Sequence, residues 1–305
     1  MGPHGTRTGF CLPAAAAYRR LLGRCRAEPL GALAGLAGKW SGTGFNVIWR
    51  PFHEPATQDR FLELNVTSEQ LEFDPISGAI PNRGLLQGDI AMSGLTYLQE
   101  ISDANLKAGL HIEPGLWVNI PKTADPSVPP TVARLASIPH GTTIVVQGTA
   151  STQAKPPDIP DIGISLFFIG QPSAAQSFPE QILTNKTSFR TSGDGLKGVT
   201  QTMVDNPNSV LRAAVAKQHI ASTTTLHVST GDGSVPGGGT ANTAFLHGGS
   251  QGPNAVAASA TATFWLETLQ GQSEPTQLQY SQIVLLNFNT LSWPHVTVGT
   301  LTKAK

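Results

Sequence analysis

The chain alternates. From Phe61 to Thr67, apolar Leu62, Leu64 and Val66 interleave with polar Glu63 and Asn65. A β-strand produces this period of two because successive side chains point to opposite faces. Leu71-Glu72-Phe73 continues the pattern after a short break. Similar runs fall at Ile90–Ile101, Leu110–Ile120, Val132–Ser137, Thr142–Gly148, Ala221–Thr230, Ala258–Leu269, Leu278–Asn287 and Val296–Leu301. Turn-forming stretches such as Ser77–Gly84 and Asp103-Ala104-Asn105 separate them. One stretch reads convincingly as helix, Ser209 to His219, with Val210, Leu211, Ala214 and Val215 on one face, Asn206 as its cap and Pro207 at the first helical position. Ten or more strands, no internal repeat and no linker point to an all-β fold: a single antiparallel β-barrel with one or two short helices, whose closure removes exposed sheet edges.

Within this frame Gly94 is expected to mark a bulge, and Pro114-Gly115 to disturb the alternation of its strand. The Pro-rich stretches Ala124–Pro130 and 153–163 read as loops, the second as a lid. Asn289 to His295 reads as the connection into the last strand.

Residues 1–30 differ from the barrel domain, 31–305. Arg7, Arg19, Arg20, Arg24 and Arg26 precede the first acid, Glu28, so the segment reads as disordered or as a targeting peptide. The compartment otherwise expected is the cytoplasm. Beyond this segment no basic patch offers a nucleic-acid footprint, and the formal net charge is zero. No stretch approaches the ~20 apolar residues of a transmembrane helix. Both cysteines, Cys11 and Cys25, lie in the N-terminal segment, so the body has neither a disulfide framework nor a cysteine–zinc site. Asn65-Val66-Thr67 and Asn185-Lys186-Thr187 match the glycosylation acceptor pattern.

Three histidines carry the candidate chemistry. His111 stands two residues before Glu113, so a strand aims both at one face, with Trp117 in the same parity. His140 follows in Pro139-His140-Gly141, between two strands, where the plainer reading is a turn. Two histidines and a carboxylate are the ligand set of a non-haem iron site, or a general acid and base. His295 enters the final strand beside Trp293, and a neutral imidazole there is a candidate haem ligand. His227 reads as a solvated strand residue, and Asp158 and Asp161 as solvated loop acids. The Gly-rich loop around Pro236–Thr240 lacks the lysine of a P-loop, and no Gly-x-Ser-x-Gly elbow occurs.

The segments Gly38–Asn46, Phe61–Asn65, Ile80–Gly84, His111–Gly115, Ile138–Thr142 and Asn287–His295 resemble a family of single-domain fungal and bacterial proteins, lipocalin-like barrels labelled haem-binding or peroxidase-like. The start Gly38-x-Trp40-x-Gly42-x-Gly44 and the late histidine are distantly similar to nitrobindin, whose barrels are shorter. The resemblance implies a barrel that binds haem or another large hydrophobic ligand, with peroxide or nitric-oxide chemistry. His295 would ligate the iron, His111 and His140 would line the pocket, and Trp117 and Trp293 would add aromatic contacts. Two other readings stand beside it: a haem-free enzyme using His111, Glu113 and His140 on a small apolar substrate, and a carrier without chemistry.

Overall fold

The computed structural model describes residues 30–54, 58–231 and 237–304. The targeting-like segment therefore lies outside the described residues except for Leu30, as does part of the Gly-rich loop near Pro236.

Ten long strands make the barrel: β1 (Gly38–Glu54), β2 (Gln58–Pro75), β3 (Ile90–Asp103), β4 (Gly109–Ile120), β5 (Thr131–Ile138), β6 (Thr142–Gln153), β7 (Ile220–Ser229), β8 (Val256–Leu269), β9 (Gln277–Phe288) and β10 (Leu291–Lys303). Each pairs antiparallel with the next, and β10 returns to β1, so the sheet closes in up-and-down order.

Closure depends on glycine. Gly42 stands opposite Leu301 across the β1–β10 seam, and Gly44 opposite Gly299. A Cβ on Gly42 would lie 2.1 Å from the Thr300 carbonyl oxygen, and one on Gly44 2.2 Å from that of Val298. No side chain fits there. Trp40, two residues earlier on the inward face, plugs the barrel end, as the Gly-x-Trp pattern suggests. It is buried over the 3₁₀ turn Gly31–Leu36, and its Nε1 donates to the Leu36 carbonyl at 2.7 Å.

Two apolar clusters lie on the two sides of this wall. The inner one fills the closed half of the barrel with Trp40, Phe73, Leu95, Trp117, Phe264 and Leu301, among others. The outer one joins Phe45, Val47, Leu62 and Leu64 to Ile159, Ile164, Val204 and Leu211, which come from the long β6–β7 connection. That connection wraps the outside. It carries α1 (Gln201–Asp205) and α2 (Asn208–Val215), and the Arg190 guanidinium pins it by donating to the carbonyls of Glu180, Ile182, Leu183 and Asn185.

The outer layer inverts the alternation of β2. Leu62 and Leu64 face outward beneath it, while Glu63, Asn65, Thr67 and Glu69 face the interior until Leu71 and Phe73 restore an apolar lining. Asn65 is thereby buried, bonded to Asp103 at 2.9 Å, and inaccessible to glycosylation in the folded chain.

Several local expectations need correction. Gly94 carries no bulge; the β3–β4 register shifts between Ile101 and Ser102. Pro114-Gly115 leaves the β4 register unbroken, because β5 pairs with β4 only from Gly115 onward and Pro114 has no β5 residue opposite it. The helix is shorter, Asn208–Val215, and Pro207 precedes it as the N-cap residue. The 153–163 stretch is no lid: Ile159 is buried in the outer cluster. His295 lies inside a strand, because β9 and β10 meet in a two-residue turn, Asn289-Thr290, with φ of +47° and +63°.

Replacing Gly42 by Ala should lower stability by about 1–3 kcal/mol through overpacking at the seam, seen as an earlier urea midpoint. A wild-type midpoint would mean that β1 and β10 do not meet there.

Candidate functional site

The half of the barrel opposite Trp40 holds a cavity of about 280 Å³. Ile48, Ile101, Leu110, Ile138, Val284 and Leu286 form much of its wall. His111, His140 and His295 all border it. They arrive from three places: His111 from β4, opposite Ile101; His140 from the β5–β6 turn; His295 from β10, between Ile48 of β1 and Val284 of β9. The rings of His111 and His140 stack, with centroids 5.7 Å apart and planes 28° from parallel. Leu246, in α3 (Ala244–His247), adds another apolar wall residue.

His295 is half-buried, its ring bordering the cavity. Burial, with repulsion from His111 and His140, pushes its pKa down to about 3. The shift favours the neutral imidazole at neutral pH. His140 is also pushed below the usual histidine value, first by burial and then by His111.

Behind His111 lies an ion pair. Glu113 is wholly buried, and its Oε1 accepts from Arg134 Nη2 and the Tyr97 hydroxyl. Its Oε2 lies 3.3 Å from His111 Nε2. Arg134, equally buried, also donates from Nε to the Tyr97 oxygen at 2.8 Å and from Nη1 to Gln282, a residue of the cavity wall. Gly115 makes room for this: a Cβ there would lie 2.5 Å from the Tyr97 ring. Burial alone would raise the Glu113 pKa, but the charge of Arg134, helped by His111 and the Tyr97 hydrogen bond, holds it down at about 2. Burial pushes the Tyr97 hydroxyl well above the usual tyrosine value.

A second polar chain borders the cavity. Gln99 donates to Tyr280 Oη at 2.9 Å, and Tyr280 donates to Glu69 Oε2 at 2.5 Å. Thr67 donates to the other Glu69 oxygen at 2.7 Å. Burial raises the Glu69 carboxyl above its ordinary value, against the pull of these hydrogen bonds.

The structure thus brings His111, His140 and His295 to one cavity, with Glu113 in contact with His111 behind it. Trp117 and Trp293 are elsewhere. Trp117 packs edge-on against Phe264, at 5.2 Å, in the closed half. Trp293 stacks on Phe288 at 4.6 Å in the outer cluster. Among the described residues no group of three histidine, cysteine or acidic side chains is placed to hold a metal. The Glu113 oxygens already serve Arg134, Tyr97 and His111. His227 sits on β7 with Nδ1 2.9 Å from Thr263 Oγ1, and Asp161 pairs with Arg212 at 2.8 Å while largely exposed.

Sequence reasoning missed Arg134, Tyr97, Tyr280, Gln282 and Glu69. Arg134 had a signal: it shares parity with Val132 and Ala136, so a lone charge interrupts the inward face of β5. For Glu69 the even alternation of β2 hid the fact that its polar face is the inner one.

The strand pairing and the cavity define a class, a closed ten-stranded antiparallel β-barrel with an internal pocket suited to ligand binding. No family model and no curated protein matches the chain. Among solved structures it is similar to Rv2717c from M. tuberculosis, at 15% identity and a TM-score of 0.43, over 92% of this chain and 100% of that one. No helix among the described residues is long and apolar enough to cross a membrane.

Two acid-sensitive contributions follow. The Glu113 contribution is complete above its unfolded value of 4.5 and is lost as pH falls toward 2. The His295 contribution is complete above 6.5 and is lost as pH falls toward 3. Replacing Glu113 by Gln strands a buried guanidinium and should cost about 3–5 kcal/mol at neutral pH, with the gap to wild type narrowing below pH 4.5. A gap that stays constant to pH 2 in denaturant melts would contradict the pairing.

Proposed function

We propose that the chain is a ligand-binding barrel whose cavity takes haem through His295. The observation that supports this best is an imidazole on a barrel strand, bordering an apolar-walled cavity that two further histidines share. Coordination of iron needs an unprotonated ring nitrogen, and His295 supplies one without releasing a proton. Ile48, Val284 and Leu286 line the same cavity as that ring, and His111 and His140 offer hydrogen bonds within the same space. Bound haem would supply redox chemistry toward peroxide or nitric oxide.

The volume favours a second reading. About 280 Å³ lies just under the usual range of small-molecule pockets, ~300–1,000 Å³. A compact apolar molecule fits within it, whereas a tetrapyrrole would fill it and extend through the mouth. On this reading the barrel carries or converts a small ligand without haem.

Titration with hemin separates the two. The haem reading expects a sharp, saturable Soret band at one equivalent per chain, with affinity at least tenfold weaker in His295→Ala. Absorption no different from free hemin would leave the small-ligand reading. An unchanged spectrum and affinity in His295→Ala would remove His295 as the ligand.

A further inference from the structure

Ligation through His295 leaves the ion pair behind His111 without a chemical role. Its arrangement is specific. Arg134 and Tyr97 occupy one oxygen of Glu113, and the other oxygen meets His111 Nε2 at 3.3 Å. A carboxylate held ionised by a guanidinium only accepts hydrogen bonds, so Nε2 must carry the imidazole proton. That leaves Nδ1 as the acceptor, and no other described residue bonds this ring. A proton arriving at Nδ1 makes an imidazolium already in contact with a buried anion, the way a carboxylate supports a catalytic histidine in acyl-transfer triads.

The other charged and titratable groups nearby are committed. His140 stacks on His111 from the β5–β6 turn without a carboxylate behind it. His295 faces the cavity from β10. Arg50 of β1 and Glu63 of β2 close on each other at 2.9 Å. Glu69 is held by Tyr280 and Thr67, and Tyr280 takes its own hydrogen bond from Gln99. His111 is therefore the group bordering the cavity that is best built to receive a proton.

We propose that His111, positioned by Glu113, is a general base for a small apolar ligand bearing a weakly acidic hydroxyl, of which a phenol is the simplest case. The proposal rests on the cavity being a ligand site and needs no haem. In the step the ligand O–H bond breaks, its electron pair stays on oxygen, and the proton passes to Nδ1. The product is an oxyanion beside an imidazolium that Glu113 stabilises. No oxidant, reductant or metal takes part.

The probe is 4-nitrophenol, whose anion has its own absorption band, with 4-nitroanisole as a control of like shape that lacks the proton. Both should bind the wild-type protein. Bound 4-nitrophenol should ionise at a lower pH than the free probe, with at least a tenfold change in its ionisation constant. His111→Gln keeps an amide donor for Glu113 and should fold. It should bind 4-nitroanisole and lose the enhanced ionisation, whereas His227→Gln, on β7 and not among the cavity-lining residues, should retain it. Equal ionisation in wild type and His111→Gln, with 4-nitroanisole bound by both, would overturn the assignment and leave the cavity reading intact. Failure of both probes to bind the wild type would overturn the proposal together with the small-ligand reading of the cavity.

Discussion

A charged pair sits inside the barrel, and the upper half of the interior is arranged around it. Glu113 and Arg134 are both withdrawn from water. Two such charges are costly to desolvate, and their attraction offsets that cost only when the geometry is good and the remaining hydrogen bonds are filled. Tyr97 bonds both partners, Gln282 takes a further guanidinium proton and His111 takes the remaining carboxylate oxygen. Each of these residues comes from an inward position of its strand. The pair therefore ties β3, β4, β5 and β9 into one polar wall and sets the orientation of His111 as a by-product of its own satisfaction.

This wall exists because the fold places apolar surface on both sides of the sheet. The wrapping of residues 154–219 around the outside gives Leu62, Leu64, Phe45 and Val47 a dry environment that does not require the interior. The interior positions of β2 are then free to be polar, and they are, from Glu63 to Glu69. The opposite half of the barrel is packed by Trp40, Phe73 and Trp117. The cavity falls where the packed aromatic end gives way to this polar wall. It combines aliphatic surface with a few fixed hydrogen-bonding groups, the usual composition of a small-molecule site.

The architecture was readable because alternation and turn residues are local signals. Strand after strand fell where the period of two placed it. The pairing of His111 with Glu113 was readable for the same reason, since two residues of equal parity share a face. Direction was not readable. Whether Leu62 or Glu63 points inward depends on a segment more than a hundred residues away. The partner of Glu113 is likewise non-local: Arg134 meets it through strand register, which a lone sequence does not display. Trp117 and Trp293 were grouped with the site because they are close in sequence to His111 and His295, yet Trp117 packs in the closed half of the interior and Trp293 in the outer cluster.

Buried charges and an apolar cavity fix the ring-nitrogen state of His295 and the tautomer of His111. Ring-nitrogen NMR of the ¹⁵N-histidine-labelled protein measures this directly. At pH 5 a neutral His295 is predicted, and in the neutral form of His111 a proton on Nε2 with Nδ1 bare. A His295 that charges near the ordinary value of 6.5, or a His111 protonated at Nδ1 in its neutral form, would contradict it.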